Sequence, residues 1–193
     1  MTTTSVRTVH EPWLSRLLFA DIRLAPLWAL IRVYVGWQWL EAGWHKVTDP
    51  AWVGARAGTA ITGFLHGALE KTGGEHPSVA GWYGWFIGNV ALPNATLFSS
   101  LVAFGELAVG LALILGLLTG VAAFFGGLMN ANFPLAGTLS SNPLLFILAT
   151  WLVLAWRVAG WWGLDRWVLP RLGVFSSSLA APRPAGGRTA GPS

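Results

Sequence analysis

The sequence predicts an all-α integral membrane protein, a four-transmembrane-helix bundle with an amphipathic, interfacial outer excursion between helices 1 and 2. Three observations support this fold class. Hydrophobic residues make up 54% of the 193 positions and charged residues only 10%, whereas soluble domains carry about 25% charged residues. Positions 107–156, fifty in a row, contain no Asp, Glu, Lys or Arg. Arginines cluster near the two ends of the chain. A bilayer is the solvent that suits such a chain.

Four apolar stretches are long enough to cross the hydrocarbon core, which takes roughly 20 residues in helical form. Backbone groups cannot go unpaired in lipid, so each stretch is predicted to be a helix. Thr119 and Gly120 separate the second stretch from the third, and Pro143 suits the first turn of the fourth. The predicted spans are Leu24 to His45, Leu97 to Leu118, Val121 to Gly137 and Leu144 to Trp162.

The polar excursion from Lys46 to Pro93 is predicted to lie on the outer membrane surface. Within it, apolar residues recur at helical spacing between Arg56 and Lys71, which indicates an amphipathic helix that is too short to span. An aromatic cluster at 82–86 is typical of the headgroup region. Whether residues 77–92 re-enter the membrane stays open.

The arginines decide the predicted orientation. The positive-inside rule places both ends in the cytoplasm, and this requires an even number of spans. We therefore expect a cytoplasmic N-terminal segment at 1–23, a membrane bundle at 24–170 and a flexible cytoplasmic tail at 171–193. The arginines concerned are Arg7, Arg16 and Arg23 before the first span, and Arg166, Arg171, Arg183 and Arg188 after the last.

Composition also narrows the chemistry. The sequence has no cysteine, which excludes thiolate catalysis, cysteine-held iron–sulfur clusters and c-type haem attachment by this chain. The four histidines show no ligand spacing, so neither a metal nor a haem is predicted. The net charge of +4 comes from the terminal arginines, and nucleic acid is not an expected partner.

Ionisable residues inside a span are costly and mark candidate sites. Counted from the outer ends of their helices at 1.5 Å per residue, Arg32 lies about 20 Å deep and Glu106 about 15 Å deep. We therefore expect Arg32 and Glu106 to form a buried pair, whose role is either functional or only to fix helix register.

A second group of polar residues is predicted to line an outward-opening pocket among the first three spans. Glu41 and His45 are one helical turn apart and suit proton exchange. The proposed catalytic residues are Glu41, His45 and Glu106, and the proposed substrate or quinone pocket consists of Arg32, Trp37, Asn130 and Asn132. The alternatives are interfacial anchoring by His45 and its neighbours, and helix–helix adhesion by the two asparagines. Gly36 and Gly43 are predicted to allow close helix packing.

Five segments between about Leu24 and Pro170 carry a family resemblance by their order and spacing. They are Ile31-Arg32-x-x-x-Gly36, Glu41 to Pro50, Gly105-Glu106-x-x-x-Gly110 to Thr119, Asn142-Pro143-Leu144-Leu145, and Gly160 to Arg166. Together they resemble the DoxX/DoxD-like family of small bacterial and archaeal membrane proteins, and the long outer excursion resembles the DoxD side of that family.

The resemblance implies a location in the bacterial or archaeal cell membrane and a link to quinone, because the family includes the membrane subunit of thiosulfate:quinone oxidoreductase. Quinone would be the cofactor, thiosulfate the electron source, and the bilayer, a redox subunit or a second copy of this chain the partners. Two alternatives stay open: a non-catalytic membrane scaffold that recruits redox or stress-response partners, and a small transporter. Family membership does not by itself fix the function.

Overall fold

The computed structural model describes residues 11–138, 140 and 142–174, and within these ranges every regular element is helical. The predicted ends at 1–10 and 175–193 lie outside the described residues. The helices are α1 (Trp13–Ala20), α2 (Ala25–Thr48), α3 (Thr59–Leu69), α4 (Gly81–Phe86), α5 (Ala95–Leu115), α6 (Thr119–Leu135), α7 (Asn142–Leu154), α8 (Trp156–Ala159) and α9 (Asp165–Arg171).

The pair α2 and α5 forms the main axis of the bundle. The two helices run antiparallel and approach so closely that Gly36 lies against Ile114, Gly43 against Leu107, and Gly110 against Leu40. Glycine is needed here because a Cβ on Gly110 would lie 2.4 Å from the backbone nitrogen of Leu40. The close approach predicted for Gly36 and Gly43 is confirmed.

The second pair, α6 and α7, packs beside the first around a common core that includes Trp28, Val35, Trp39, Leu113 and Leu152. The fourth predicted helix is shorter than expected. Its regular part ends at Leu154, and the chain turns at Ala155 before α8. At this break Trp156 lies against Gly120 of α6, so the tryptophan packs inward where a continuous helix was predicted.

The excursion between α2 and α5 forms a separate apolar cluster over one end of the bundle. In α3 the buried residues are Ile61, Leu65 and Ala68, while His66 is exposed, so the predicted amphipathic helix is confirmed with narrower bounds. The aromatic cluster forms α4 and continues into a π-helical turn, Ile87–Ala91.

Tyr83 of α4 fastens this cap to the bundle. Its hydroxyl donates a hydrogen bond to Oδ1 of Asn132, 2.9 Å away. Burial raises the pKa of Tyr83, which keeps the hydroxyl a donor. The Asn132 amide accepts from the cap and donates to the Leu128 carbonyl, so its described contacts are structural, and its place in a ligand pocket stays a prediction.

A helix that the sequence analysis missed, α1, precedes the bundle. The indole nitrogen of Trp28 donates to the Leu18 carbonyl at 2.7 Å, and the rings of Phe19 and Trp28 are 6.0 Å apart. These tertiary contacts hold a helix of eight residues that would be marginal in isolation.

Among the described helices, α5 alone is both long enough and apolar enough to cross a bilayer by length and composition. The other long helices miss that standard because polar and charged residues lower the mean hydropathy of α2, and because α6 has 17 residues. The all-helical architecture is therefore confirmed, while the number of spans stays a prediction.

Candidate functional site

The helix α2 presents two different polar faces. Trp37, Glu41 and His45 follow one another at four-residue intervals and are exposed, as expected for one stripe of a helix. The neighbouring stripe, Gln38, Ala42 and Lys46, turns into the bundle. The predicted pocket, which combined the first stripe with Glu106 and Asn130, is therefore wrong, because Glu106 and Asn130 are buried on the other side.

Glu106 pairs with Lys46 instead of Arg32. The Nζ of Lys46 donates to Oε2 of Glu106 at 2.6 Å, and 2% of the Glu106 side chain is exposed. The expected Arg32–Glu106 pair is wrong because the two helices are offset along their axes. Glu106 lies opposite the residues just after Gly43, about 18 Å along α2 from Arg32 at 1.5 Å per residue.

A cavity of about 210 Å³ adjoins this ion pair and is called the central cavity below. Residues of α2, α5, α6 and α7 form it. Its lining consists of Gln38, Trp39, Ala42, Lys46, Glu106, Phe133, Asn142 and Leu145. Trp39 is buried at this cavity, whereas Trp37, the tryptophan predicted to line the pocket, is exposed.

Polar atoms without partners lie at this level of the bundle. Among the described residues, the indole nitrogen of Trp39 and both amide atoms of Asn130 are buried without a hydrogen-bond partner. Asn130 is one helical turn before Phe133, which lines the central cavity. Gly126 is one turn before Asn130, and a Cβ added to it would lie 2.9 Å from the indole nitrogen of Trp39. Buried polar groups are normally paired, so these atoms indicate an unassigned ligand or water.

The outward stripe of α2 borders a second cavity of about 440 Å³ on the α5 side, called the α2/α5 groove below. Its walls are mainly aliphatic and aromatic, and Glu41 and His45 are its ionisable residues. The lining consists of Trp37, Leu40, Glu41, Trp44, His45, Leu107 and Leu111. The structure thus places Trp37, Glu41 and His45 at the groove and Glu106 at the central cavity, on opposite sides of α2. The other predicted site residues, Arg32, Asn130 and Asn132, line neither of these two cavities.

The side chain of Arg32 lies in a third location, at the C-terminal end of α5. Its guanidinium donates to the carbonyls of Leu113 and Ile114 and, at 3.3 Å, to that of Trp162. Cations near the last carbonyls of a helix are favoured by the helix dipole. Arg32 therefore binds the end of a helix and does not line the predicted substrate or quinone pocket.

Asp165, which the sequence analysis did not select, complements Arg32. Its carboxylate accepts hydrogen bonds from the backbone amides of Leu118, at 2.5 Å, and Thr119, at 2.9 Å, and so caps α6. The signal in the sequence was a lone acidic residue after the glycine turn that closes the last predicted span.

In the described ranges, no group of three or more His, Cys, Asp or Glu side chains is arranged to hold a metal ion. The described helices form a membrane-type bundle, and the central cavity brings Lys46 and Glu106 together inside it. Residues 27–132 match the model of the DoxX family, and the chain belongs to this family, whose members are membrane proteins. Comparisons with curated proteins and with solved structures found no match.

Proposed function

We propose that α2, α5, α6 and the α7–α8 segment are four membrane spans with both chain ends in the cytoplasm. The four helices pack along one another in two antiparallel pairs. In the last of them, α7 with its 13 residues rises about 20 Å at 1.5 Å per residue, and α8 adds a further turn beyond the break at Ala155. Together they approach the hydrocarbon thickness of about 30 Å. The terminal arginines then lie on the cytoplasmic side, as does the Arg32–Asp165 end of the bundle.

Reporter fusions test this topology. We expect alkaline phosphatase fused after Arg171 to be inactive and the same reporter fused after Gly74, within the excursion, to be active. A reporter that is active after Arg171 would require an odd number of spans. Comparable expression of the two fusions, measured by immunoblot, is the control.

We propose further that the chain is the quinone-binding membrane component of an oxidoreductase, with the α2/α5 groove as the quinone site. The observation that carries this proposal is an acid–base pair, Glu41 and His45, in an aromatic and aliphatic groove that faces outward from the bundle. In the proposed topology the groove opens to lipid, where an isoprenoid quinone resides. Ionisable residues tolerated there favour a functional role.

The chemistry that this groove suits is proton exchange with the quinone head group. Reduction of a quinone to a quinol takes two electrons and two protons. His45 is the proposed hydrogen-bond donor to a ring carbonyl, and Glu41 and His45 the proposed proton-exchange groups. Trp37 and Trp44 would flank the ring. The electrons would come from a partner subunit, and thiosulfate as their source rests on the family resemblance alone.

Quinone binding by the purified protein tests the proposal. With a short-chain ubiquinone or menaquinone analogue, we expect Glu41→Gln and His45→Gln each to weaken binding about tenfold, as the loss of a hydrogen bond to a charged group predicts. His66→Gln and Glu70→Gln, the same changes on the exposed side of the excursion, are matched controls. The measurement is isothermal titration in detergent.

Unaltered quinone affinity in both groove variants would contradict the site. Absence of quinone binding together with tight capture of a partner subunit would favour the scaffold alternative. Thiosulfate-dependent quinone reduction, with and without co-purified proteins, then tests whether an electron-donating partner is needed.

A further inference from the structure

The central cavity is independent of the α2/α5 groove, since the two lie on opposite sides of α2, and its hydrogen-bonding groups point to a ligand of a different kind. We propose that the central cavity binds a small organic monocarboxylate together with one proton, which Glu106 accepts.

The first argument is a surplus of hydrogen-bond donors. The indole N–H of Trp39, which lines the cavity, has no acceptor among the described residues. The Lys46 ammonium has three N–H donors, and the structure gives them one acceptor, Oε2 of Glu106. A ligand with two acceptor oxygens on one carbon would accept from the Lys46 ammonium and from the Trp39 indole, two donor groups that line the cavity. A buried donor left without an acceptor is costly.

The second argument is charge. The Lys46–Glu106 pair has zero net charge, so an anion that enters alone leaves one uncompensated charge in a medium where this is costly. The charge balances when the anion arrives with a proton: Glu106 becomes a neutral acid, and the ammonium of Lys46 pairs with the incoming carboxylate. No bond other than the O–H bond on Glu106 forms.

Among the described residues, Lys46 is the charged group that acts on Glu106. Glu106 is the one charged residue of α5, and α6 and α7 carry none. On α2, Glu41 and His45 are on the outward stripe, and Arg32 is held at the far end of α5. From the excursion, Trp52 is stacked on the Lys46 ammonium, 5.1 Å from the ring centroid, which gives the lysine a second partner when it leaves Glu106.

The third argument is the shape and the walls of the cavity. Its volume of about 210 Å³ is several times the ~30 Å³ share of one water molecule. Trp39, Phe133, Leu145 and Ala42 provide apolar walls, which favours an organic acid with a small or flat side group over an inorganic anion.

Isothermal titration with benzoate and acetate, in pairs of buffers of different ionisation enthalpy, tests the proposal on the full chain in detergent. We expect wild-type protein to take up about one proton per carboxylate and to lose about tenfold in affinity per pH unit as pH rises. Benzamide, the uncharged analogue, and sulfate, a dianion, should bind at least tenfold more weakly than benzoate.

Three variants separate the roles. Glu106→Gln should bind benzoate without proton uptake and with an affinity independent of pH, because Lys46 is then free of its counter-charge. Lys46→Met should abolish binding, and Trp39→Phe, which keeps a ring in place, should weaken it about tenfold. Glu70→Gln, on the exposed excursion, is the matched control for Glu106→Gln.

The proposal is overturned if proton uptake persists in Glu106→Gln, if benzamide or sulfate binds as well as benzoate, or if neither wild type nor Trp39→Phe binds a carboxylate while both keep their thermal unfolding transition. Quinone affinity, measured on the same samples, should not change in Glu106→Gln, so failure here is distinguishable from failure of the quinone proposal.

Discussion

Replacing Gly110 by alanine is expected to destabilise the bundle by about 3 kcal/mol or more, at the upper end of overpacking effects. The added Cβ would lie 2.4 Å from the Leu40 nitrogen and 2.6 Å from its Cα. These are backbone atoms of a helix, so relief requires that α2 and α5 move apart along their whole contact. Gly43→Ala should behave alike, since its Cβ would meet the backbone of Leu107 at 2.4 Å.

The matched control is Gly63→Ala in α3, where nothing lies within 4 Å of the added Cβ. Alanine favours a helix over glycine by about 1 kcal/mol, so this variant should be as stable as wild type or slightly more stable. Thermal unfolding of the three variants in one detergent is the measurement. A transition for Gly110→Ala at the wild-type temperature would mean that the α2–α5 contact is looser than described.

The same close contact explains why one part of the site was predicted incorrectly. The sequence shows which residues of α2 are polar, but not by how much α2 and α5 are offset. Depth counted from the ends of the predicted spans assumed level helix ends. The glycine contacts place Glu106 opposite the residues just after Gly43, so Lys46 reaches the carboxylate and Arg32 does not.

The direction in which α2 faces was equally inaccessible to sequence analysis. Successive residues on a helix point about 100° apart, and α2 is polar both at Glu41, on the outward stripe, and at Gln38 and Lys46, on the inward stripe. Periodicity alone could not choose between these stripes, because each of them carries polar residues. By contrast, the helical character of each span and the amphipathic α3 depend on local composition, and these predictions are confirmed.

The charged residues at the far end of the bundle illustrate a further limit. Arg32 was selected because a charge inside a span is costly, and the structure does bury it. Its partners, however, are backbone carbonyls at the end of α5, which no residue pattern reveals. Asp165 lay just outside the last predicted span, so the reasoning from membrane depth did not reach it.

Replacing Asp165 by asparagine is expected to cost about 3 kcal/mol, the upper end of the range for hydrogen bonds to a charged group. The carboxylate caps α6 through the amides of Leu118 and Thr119, and Leu118 has a positive φ of 48°, a strained conformation that this cap holds in place. Both carboxylate oxygens of Asp165 accept a backbone amide, whereas an asparagine side chain has one acceptor oxygen. The substitution also removes the negative charge near the guanidinium of Arg32.

The cost should therefore depend on Arg32. With Arg32→Leu in the same chain, the loss of stability caused by Asp165→Asn should shrink by at least 1 kcal/mol, since no buried cation is then left without a nearby negative charge.

Combining Arg32→Leu with Glu106→Gln should instead give additive losses of stability. Glu106 of α5 lies opposite a point on α2 that is about 18 Å from Arg32, too far for the two side chains to interact. Asp21→Asn is the control: this carboxylate also accepts a backbone amide, that of Arg23, but on an exposed turn. Thermal unfolding of the double-mutant cycles in detergent measures both couplings, and strictly additive losses for Arg32 and Asp165 would show that the two helix-end charges act separately.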